Sequence, residues 1–399
     1  MSAPPVAPQP APEGSWRIMA GAFLANFAGF GGAYTFSAFF SSLQSEFGAS
    51  RTAVSLAFSL AACLYFSLGL VSGRIADRRG ARPLVLAGLA VMAIGLALAG
   101  LARSVVEVYL AYGLGVGLGV GFSYVPGLGA VQKAFDRRRG FASGVAVAGI
   151  GVGTLFMPPL ATELIAALGW RGAYLVLALV VLAVGVMAAW LIGPAPPTPA
   201  RAAGPASSLE GAIRSPAFRR LYVACLLAGF GAFLPFAHLV PYAADQGLSP
   251  RLAAMLVAAV AVGSTAGRFV VGDLADKIGR QPSLLACFAG MGLCLAAWPF
   301  ARALGSLAAF ALLYGLAYGA WVALLPAYVA DRFGARNAGG VIGALYTGVG
   351  VGALVGPSLA GWAFDTTGDY APALFAAAAA DGLAMWFAAT AASRVRCAT

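Results

Sequence analysis

Apolar segments of the length needed to cross a bilayer, about twenty residues, recur twelve times along this chain. They run at about 17–42, 52–74, 83–103, 106–129, 141–167, 171–193, 219–244, 251–272, 283–301, 305–329, 339–362 and 371–392. Nothing in a bilayer core replaces a missing backbone hydrogen bond, so segments of this length span as helices. With 61% hydrophobic and only 10% charged residues, the fold class is an all-α membrane protein, and the lipid bilayer is its first partner.

The net charge of +11 would point to nucleic acid in a soluble protein, but here the basic residues follow the membrane. If the first segment runs outward, nineteen of the 25 Lys and Arg fall on the inner side, among them Arg78, Arg79, Lys133, Arg137, Lys277 and Arg336. Five fall outside (Arg51, Arg103, Arg171, Arg251, Arg302), and Arg268 stands alone within a segment. That asymmetry places both termini in the cytoplasm. Residues 1–16 have no basic region ahead of their prolines and read as a disordered, uncleaved tail, with 393–399 as a short cytoplasmic tail. Four of the five cysteines lie in apolar segments and the fifth, Cys397, in the tail, so no disulfide framework or metal-ligand set is expected.

The chain repeats itself with an offset of 199. "GRIADRRGARP" between segments two and three returns as "GDLADKIGRQP" between eight and nine, so Gly73, Asp77 and Gly80 map onto Gly272, Asp276 and Gly279. The same shift carries Arg137 to Arg336, Gly149, Gly151 and Gly153 to Gly348, Gly350 and Gly352, and Pro158 to Pro357. Two six-helix halves follow, 17–193 and 219–392, joined by a cytoplasmic linker at 194–218 whose Pro, Ala and Ser content suits an exposed loop. The run "GLGVGLGVG" (Gly113 to Gly121) lies within an apolar segment and lacks both a preceding strand and a Lys-Ser/Thr, so it is a close-packing seam and not a phosphate loop. With no nucleotide loop anywhere, neither an ATP-driven pump nor a cofactor-dependent enzyme is expected.

These loops and this repeat resemble the major facilitator superfamily, whose two parallel six-helix halves surround a central site. In that family the loop acid and its basic neighbours clamp helix ends as the protein alternates between two conformations. The resemblance implies this gating role for Gly73, Asp77, Arg78, Gly80, Asp276, Lys277 and Gly279; from charge alone they also read as solvated turns that set topology. Further stretches narrow the likeness. "PEGSWRIMAGAFLANFAGF", "FDRRRGFASGVAVAGIGVGTLFMPPL", "GWRGAYL" and "FAHLVPYAADQGLSP" with "GSTAGRFVVGDLADKIGR" resemble bacterial monocarboxylate transporters.

Arg268 is the residue on which function turns. A charge at mid-bilayer costs at least about 2.5–3.5 kcal/mol, and its repeat mate is Gly69, so the scaffold common to both halves does not require it. Its side chain leans toward the N-terminal end of its helix, back to the midplane, while snorkelling to the surface is the alternative. The family resemblance makes Arg268 the carboxylate ligand, a role that a permanently charged, fork-shaped guanidinium suits. Tyr34, Tyr124, Tyr318 and Tyr346 lie on segments that line the cavity in this family and are candidate hydroxyl donors, or else packing residues.

His238, the single histidine, has Phe39 as its mate and reads as a structural residue, a gate or a proton hand-off above Arg268. Animal members of the family carry an Asp four residues before the arginine, where this chain has Ser264, a candidate substrate-binding residue one helical turn from Arg268, and a Lys near Tyr34. Both coupling groups are therefore absent, and proton coupling is implied by the family alone. Asp381 in the twelfth segment is expected to make a structural hydrogen bond. One fixed cation matches one carboxylate, so the expected cargo is a small monocarboxylate such as L-lactate or pyruvate with a proton, moved across a bacterial inner membrane by a monomer with no cofactor, no metal and no nucleic-acid partner. An exporter of another organic anion or drug and a non-transporting anion sensor are the rival readings.

Overall fold

The computed structural model describes residues 15–135, 139–194, 206–334 and 338–392. Arg137, Arg336, Cys397, both tails, most of the linker and the side chain of Asp276 lie outside the described residues. The spans are α1 (Ser15–Tyr34, continuing as Phe36–Phe47), α2 (Arg51–Ser67, continuing as Gly69–Arg79), α3 (Ala81–Gly100) and α4 (Val105–Ala134). The two limbs of Arg139–Ile192, parted at Gly169, are α5 and α6. The second half holds α7 (Pro216–Ala232, continuing as Leu234–Asp245), α8 (Pro250–Ile278), α9 (Arg280–Ala297), α10 (Leu304–Phe333), α11 (Ala338–Thr367) and α12 (Ala371–Ala392).

Among the described residues nine helices pass individually as spans, ten with the bent pair of α2. Twelve result once α5 and α6 are separated at Gly169, where φ of +70° turns the chain back, and α1 is taken through its break at Thr35. The linker is not wholly a loop. Ala206–Arg214 is a helix carrying an i,i+4 pair of Glu210 and Arg214 at 2.6 Å, and α7 then begins at Pro216 behind a Ser215 cap.

The 199-residue repeat holds down to individual contacts. Ser50 and Ser249 cap α2 and α8 by accepting the amides of Ala53 and Leu252. Glycines with positive φ pair at the same offset, Gly48 with Gly247, Gly80 with Gly279 and Gly169 with Gly368, positions where a side chain would be strained. Gly149 and Gly153 of α5 seat on the backbone of Phe23 and Phe27 in α1, as Gly348 and Gly352 of α11 seat on Tyr222 and Leu226 in α7. The seams between halves correspond too, with Gly151 of α5 against Thr265 of α8 and Gly350 of α11 against Phe66 of α2. Small residues at these crossings let backbones approach closely where lipid offers little hydrophobic drive.

Both lead helices break near their middles. In α1 the Thr35 hydroxyl donates to the Gly32 carbonyl at 2.7 Å, a back-bond that bends helices. In α7 the break falls at Phe233 (φ −108°, ψ 0°), just before Pro235. Tyr34 and Phe233 are repeat mates, and the two broken segments meet where the Tyr34 ring packs on Phe236 of α7.

Candidate functional site

The breaks bring side chains of both halves into one central cavity of about 30 Å³, lined by Tyr34, Tyr124, Arg268, Tyr318, Tyr346 and Trp321 with apolar neighbours. Arg268 and all four sequence-predicted tyrosines are thus brought together, and each tyrosine lies within electrostatic reach of the guanidinium. Tyr34 and Tyr318 are buried and their hydroxyl oxygens stand 3.4 Å apart, joining α1 to α10. The Tyr34 ring stacks on Phe236 of α7 at 4.2 Å. Tyr124, Tyr346 and Arg268 are only half-buried, so the cavity is closed on the Tyr34 side and more accessible on the other.

Arg268 Nη1 donates to the Val147 carbonyl of α5 at 2.9 Å, a bond between halves. Its Nε is enclosed without a partner, and so is the indole Nε1 of Trp321. The Arg268 side chain reaches the cavity and does not snorkel to a surface. What the cavity presents is therefore one cation without a carboxylate partner, spare N–H donors and a ring of hydroxyls. Such a set can hold an anion, since unpartnered cationic and N–H donors are stabilised by one. Sequence reasoning missed Trp321, Phe30, Phe66, Ile150 and Val349 in the lining, because apolar residues in a span look alike whether they face lipid, a neighbour or a cavity.

Ser264 lies outside this cavity lining. It is buried in the seam between α8 and α10, its backbone pressed against Gly315 and Gly319. It shares a helix face with Arg268, one turn away, but only the arginine is among the residues that line the cavity.

His238 is also away from the cavity, in a network at the end of the molecule where α2 begins. Arg51 of α2 makes two parallel bonds of 2.7 Å to the Asp245 carboxylate at the end of α7. It also donates to the Tyr370 hydroxyl at 2.8 Å and lies 3.7 Å over the Phe364 ring. Burial pushes the Tyr370 phenol above its ordinary range, so the hydroxyl keeps its proton. His238 Nε2 is 2.8 Å from the Pro357 carbonyl and Nδ1 is 3.1 Å from Tyr370 Oη. A carbonyl only accepts, so Nε2 carries a proton and Nδ1 is left to accept from Tyr370. Asp365 accepts from the amides of Arg51 and Thr52, both at 2.9 Å, and Glu163 of α5 pairs with Arg251 of α8 at 2.6 Å. Each of the ties from α2 and α5 crosses from one half to the other.

At the opposite end the loops behave differently. Asp77 accepts from Lys133 of α4 at 2.7 Å, both exposed, and Arg280 of α9 pairs with Asp331 of α10 at 2.6 Å. Both pairs stay within their own half. Gly80 and Gly279 make the turns, Gly73 packs against Val125, and Arg78 and Lys277 are exposed.

Asp381 corrects an expectation. It is fully buried on α12, and neither carboxylate oxygen has a hydrogen-bond partner. The structural hydrogen bond expected of it is not there, because the surfaces facing it on α7 and α9 are glycines.

The model of the Major Facilitator Superfamily matches residues 22–357 and 221–395. Human monocarboxylate transporter 11 is 32% identical over 385 residues, covering 91% of this chain and 80% of that protein. Monocarboxylate transporter 12-B of Danio rerio is 30% identical over 402 residues (91% and 84%), and monocarboxylate transporter 13 of Bos taurus is 30% identical over 382 (92% and 87%). Among solved structures, a bacterial homologue of the human lysosomal transporter Spinster, in an inward-facing and unoccupied conformation, superposes with a TM-score of 0.74 at 16% identity, over 96% of this chain and 98% of that one. That likeness is one of fold.

Proposed function

The chain belongs to the major facilitator superfamily and is homologous to the monocarboxylate transporters, and on that premise we propose that it moves a small monocarboxylate such as L-lactate or pyruvate, with a proton, by alternating access. The observation that carries this reading is Arg268, a cation with an unpartnered Nε in a cavity ringed by four tyrosines. A carboxylate bound there takes the fork of the guanidinium with charge-assisted bonds, and the tyrosine hydroxyls serve a neighbouring hydroxyl or oxo oxygen. One cation favours one carboxylate, since a second would be desolvated without a partner.

Alternating access draws support from the two ends. Among the described residues, ion pairs and hydrogen bonds bridge the halves at the Arg51 end, while the Asp77–Lys133 and Arg280–Asp331 pairs each brace a single half. This is the arrangement of a protein closed toward Arg51 and poised to open there. The charge bias of the loops supports an orientation with the Arg51 end outside and both termini in the cytoplasm. His238 belongs to the outer closure in this scheme, and Asp77, Arg78, Asp276 and Lys277 to the inner one.

Counterflow of labelled L-lactate and pyruvate in proteoliposomes tests the reading. Wild type is expected to exchange at least one of them, with uptake rising as external pH falls. Arg268→Gln and Arg268→Lys are expected to lose about 2–5 kcal/mol of binding, on the order of thirtyfold or more, the lysine because it cannot bond bidentately. Near-normal exchange by both variants would remove the carboxylate clamp. Exchange of bulky apolar compounds in place of either acid would favour the exporter reading.

A further inference from the structure

Asp381 is the one carboxylate in the described spans that is wholly buried and has no partner on either oxygen. Its surroundings are built to admit it. Gly231 of α7 and Gly292 of α9 face it, and a Cβ at Gly231 would stand 3.4 Å from Oδ2 and one at Gly292 3.1 Å from the Asp381 Cβ. Leu295 and Ala377 close the slot beside Gly231. The titratable groups that face it are Tyr314 of α10, within electrostatic reach, and Cys294 of α9 beside Tyr314. Arg220 and Arg332 meet α12 only at the Thr390 and Ala391 carbonyls, about two and a half turns away. The repeat places Leu182 at the equivalent position, so the six-helix scaffold does not call for an acid here.

An ionised carboxylate left unpaired in such a core costs several kcal/mol even after relaxation, and a single bound proton removes that charge. The slot is also joined to the central cavity. Gly231 adjoins the break of α7, and its carbonyl accepts the Tyr314 hydroxyl at 3.3 Å. Tyr314 stacks on Tyr318 with ring centroids 6.4 Å apart, and Tyr318 meets Tyr34 across the cavity. Any movement of α7 about its break therefore alters the surroundings of Asp381 and of the substrate cavity together.

We propose that Asp381 is the proton-binding site of this transporter, holding a proton on a carboxylate oxygen in the conformation seen here and taking it from and releasing it to water when α7 and α12 part at Gly231. An O–H bond forms and later breaks and no electrons move. One proton per monocarboxylate leaves the cycle electroneutral. The pairing with a monocarboxylate rests on the function proposed above, whereas the proton site does not.

Infrared difference spectroscopy of the purified protein in lipid, followed through a pH titration, reads the site without any substrate. Wild type is expected to show the carbonyl stretch of a protonated, apolar-shielded carboxylic acid at neutral pH, and Asp381→Asn to lack it. Where the Asn variant is not recovered folded, Asp381→Ser takes its place. Absence of the band in wild type, or its persistence in the variant, overturns the proposal. In proteoliposomes Asp381→Asn is expected to lose proton-driven accumulation at least tenfold while exchange of labelled for unlabelled substrate continues. Equal loss of both in folded protein, or uptake with an unchanged proton flux, also overturns it. If wild type exchanges neither L-lactate nor pyruvate, the monocarboxylate reading fails and the infrared band still decides the proton site.

Discussion

Two corners of the molecule occupy equivalent positions in the repeat and are held differently. In the first half Glu46 at the end of α1 pairs with Arg171 at the start of α6, at 2.9 Å, and Arg171 also donates to the Ala102 carbonyl at 2.7 Å and lies over Trp170. The repeat mates of Glu46 and Arg171 are Asp245 and Tyr370. The acid is retained and the cation is not. Its place between Asp245 and Tyr370 is taken by Arg51, which comes from α2 of the other half. A clamp internal to one half is made in every conformation that keeps the half rigid, so it cannot favour one of them. A clamp that crosses halves exists in one conformation only and biases the equilibrium toward it.

The sharpest way to break this comparison is to remove the two arginines separately. Arg51→Gln leaves Asp245 and the Tyr370 hydroxyl without their donor and is expected to shift the balance away from the closed Arg51 end by about 1–3 kcal/mol, roughly 5- to 150-fold. Arg171→Gln is expected to move it by less than about 0.5 kcal/mol, since its pair with Glu46 is half-exposed and local. Distances between spin labels on the loops at that end, one label on each half, read the equilibrium directly. Equal shifts from the two variants would mean that the corners are equivalent after all.

A second contrast concerns packing. Gly149 and Gly348 are mates, but a Cβ at Gly149 would overlap the Phe23 carbonyl, whereas at Gly348 it would meet the Tyr222 carbonyl at 3.1 Å. Gly149→Ala is expected to destabilise by about 1–3 kcal/mol, the usual cost of overpacking against a backbone that cannot yield. Gly348→Ala is expected to cost less than about 1 kcal/mol, because the second half needs to give only by tenths of an ångström. Thermal unfolding of both variants in the same lipid decides it, and a reversed order would contradict the geometry.

The architecture was legible in the sequence because it is written twice. Loops and glycines that recur at 199 residues name the two halves from the sequence alone. Arg268 was legible for the opposite reason, as a charge with no mate. What escaped were partnerships that depend on how distant helices face each other. Arg51 was counted only as an outside charge, since its acid lies 194 residues away. Ser264 was placed by its one-turn spacing from Arg268, but spacing does not report side-chain reach. Asp381 was assigned a structural hydrogen bond because the twelfth helix is usually peripheral in this family, and nothing in the local sequence of α12 tells that Gly231 and Gly292 stand opposite.

The smallest expected effect separates the two candidate titrating groups. His238 braces α7 against α11 through the Pro357 carbonyl and against the α11–α12 turn through Tyr370, with both ring nitrogens engaged by the neutral imidazole. Adding a proton to Nδ1 places a second N–H where the Tyr370 hydroxyl already points, and puts a cation beside Arg51. Two cations then compete for one phenol oxygen, and the clamp loosens. On this scheme external acid is expected to speed opening at the Arg51 end through His238, while the proton proposed to travel with the anion rides elsewhere. His238→Gln keeps a donor for Pro357 and cannot be protonated, so it is expected to flatten the pH dependence of the uptake rate and to change that rate by no more than several-fold. Exchange of labelled for unlabelled substrate stays measurable, and protons moved per anion stay as in wild type. Parallel recording of proton flux and uptake across a series of external pH values tests both halves of this expectation. A variant with the wild-type pH profile would remove His238 from the gate, and one that uncouples proton from anion would make it, and not Asp381, the carrier.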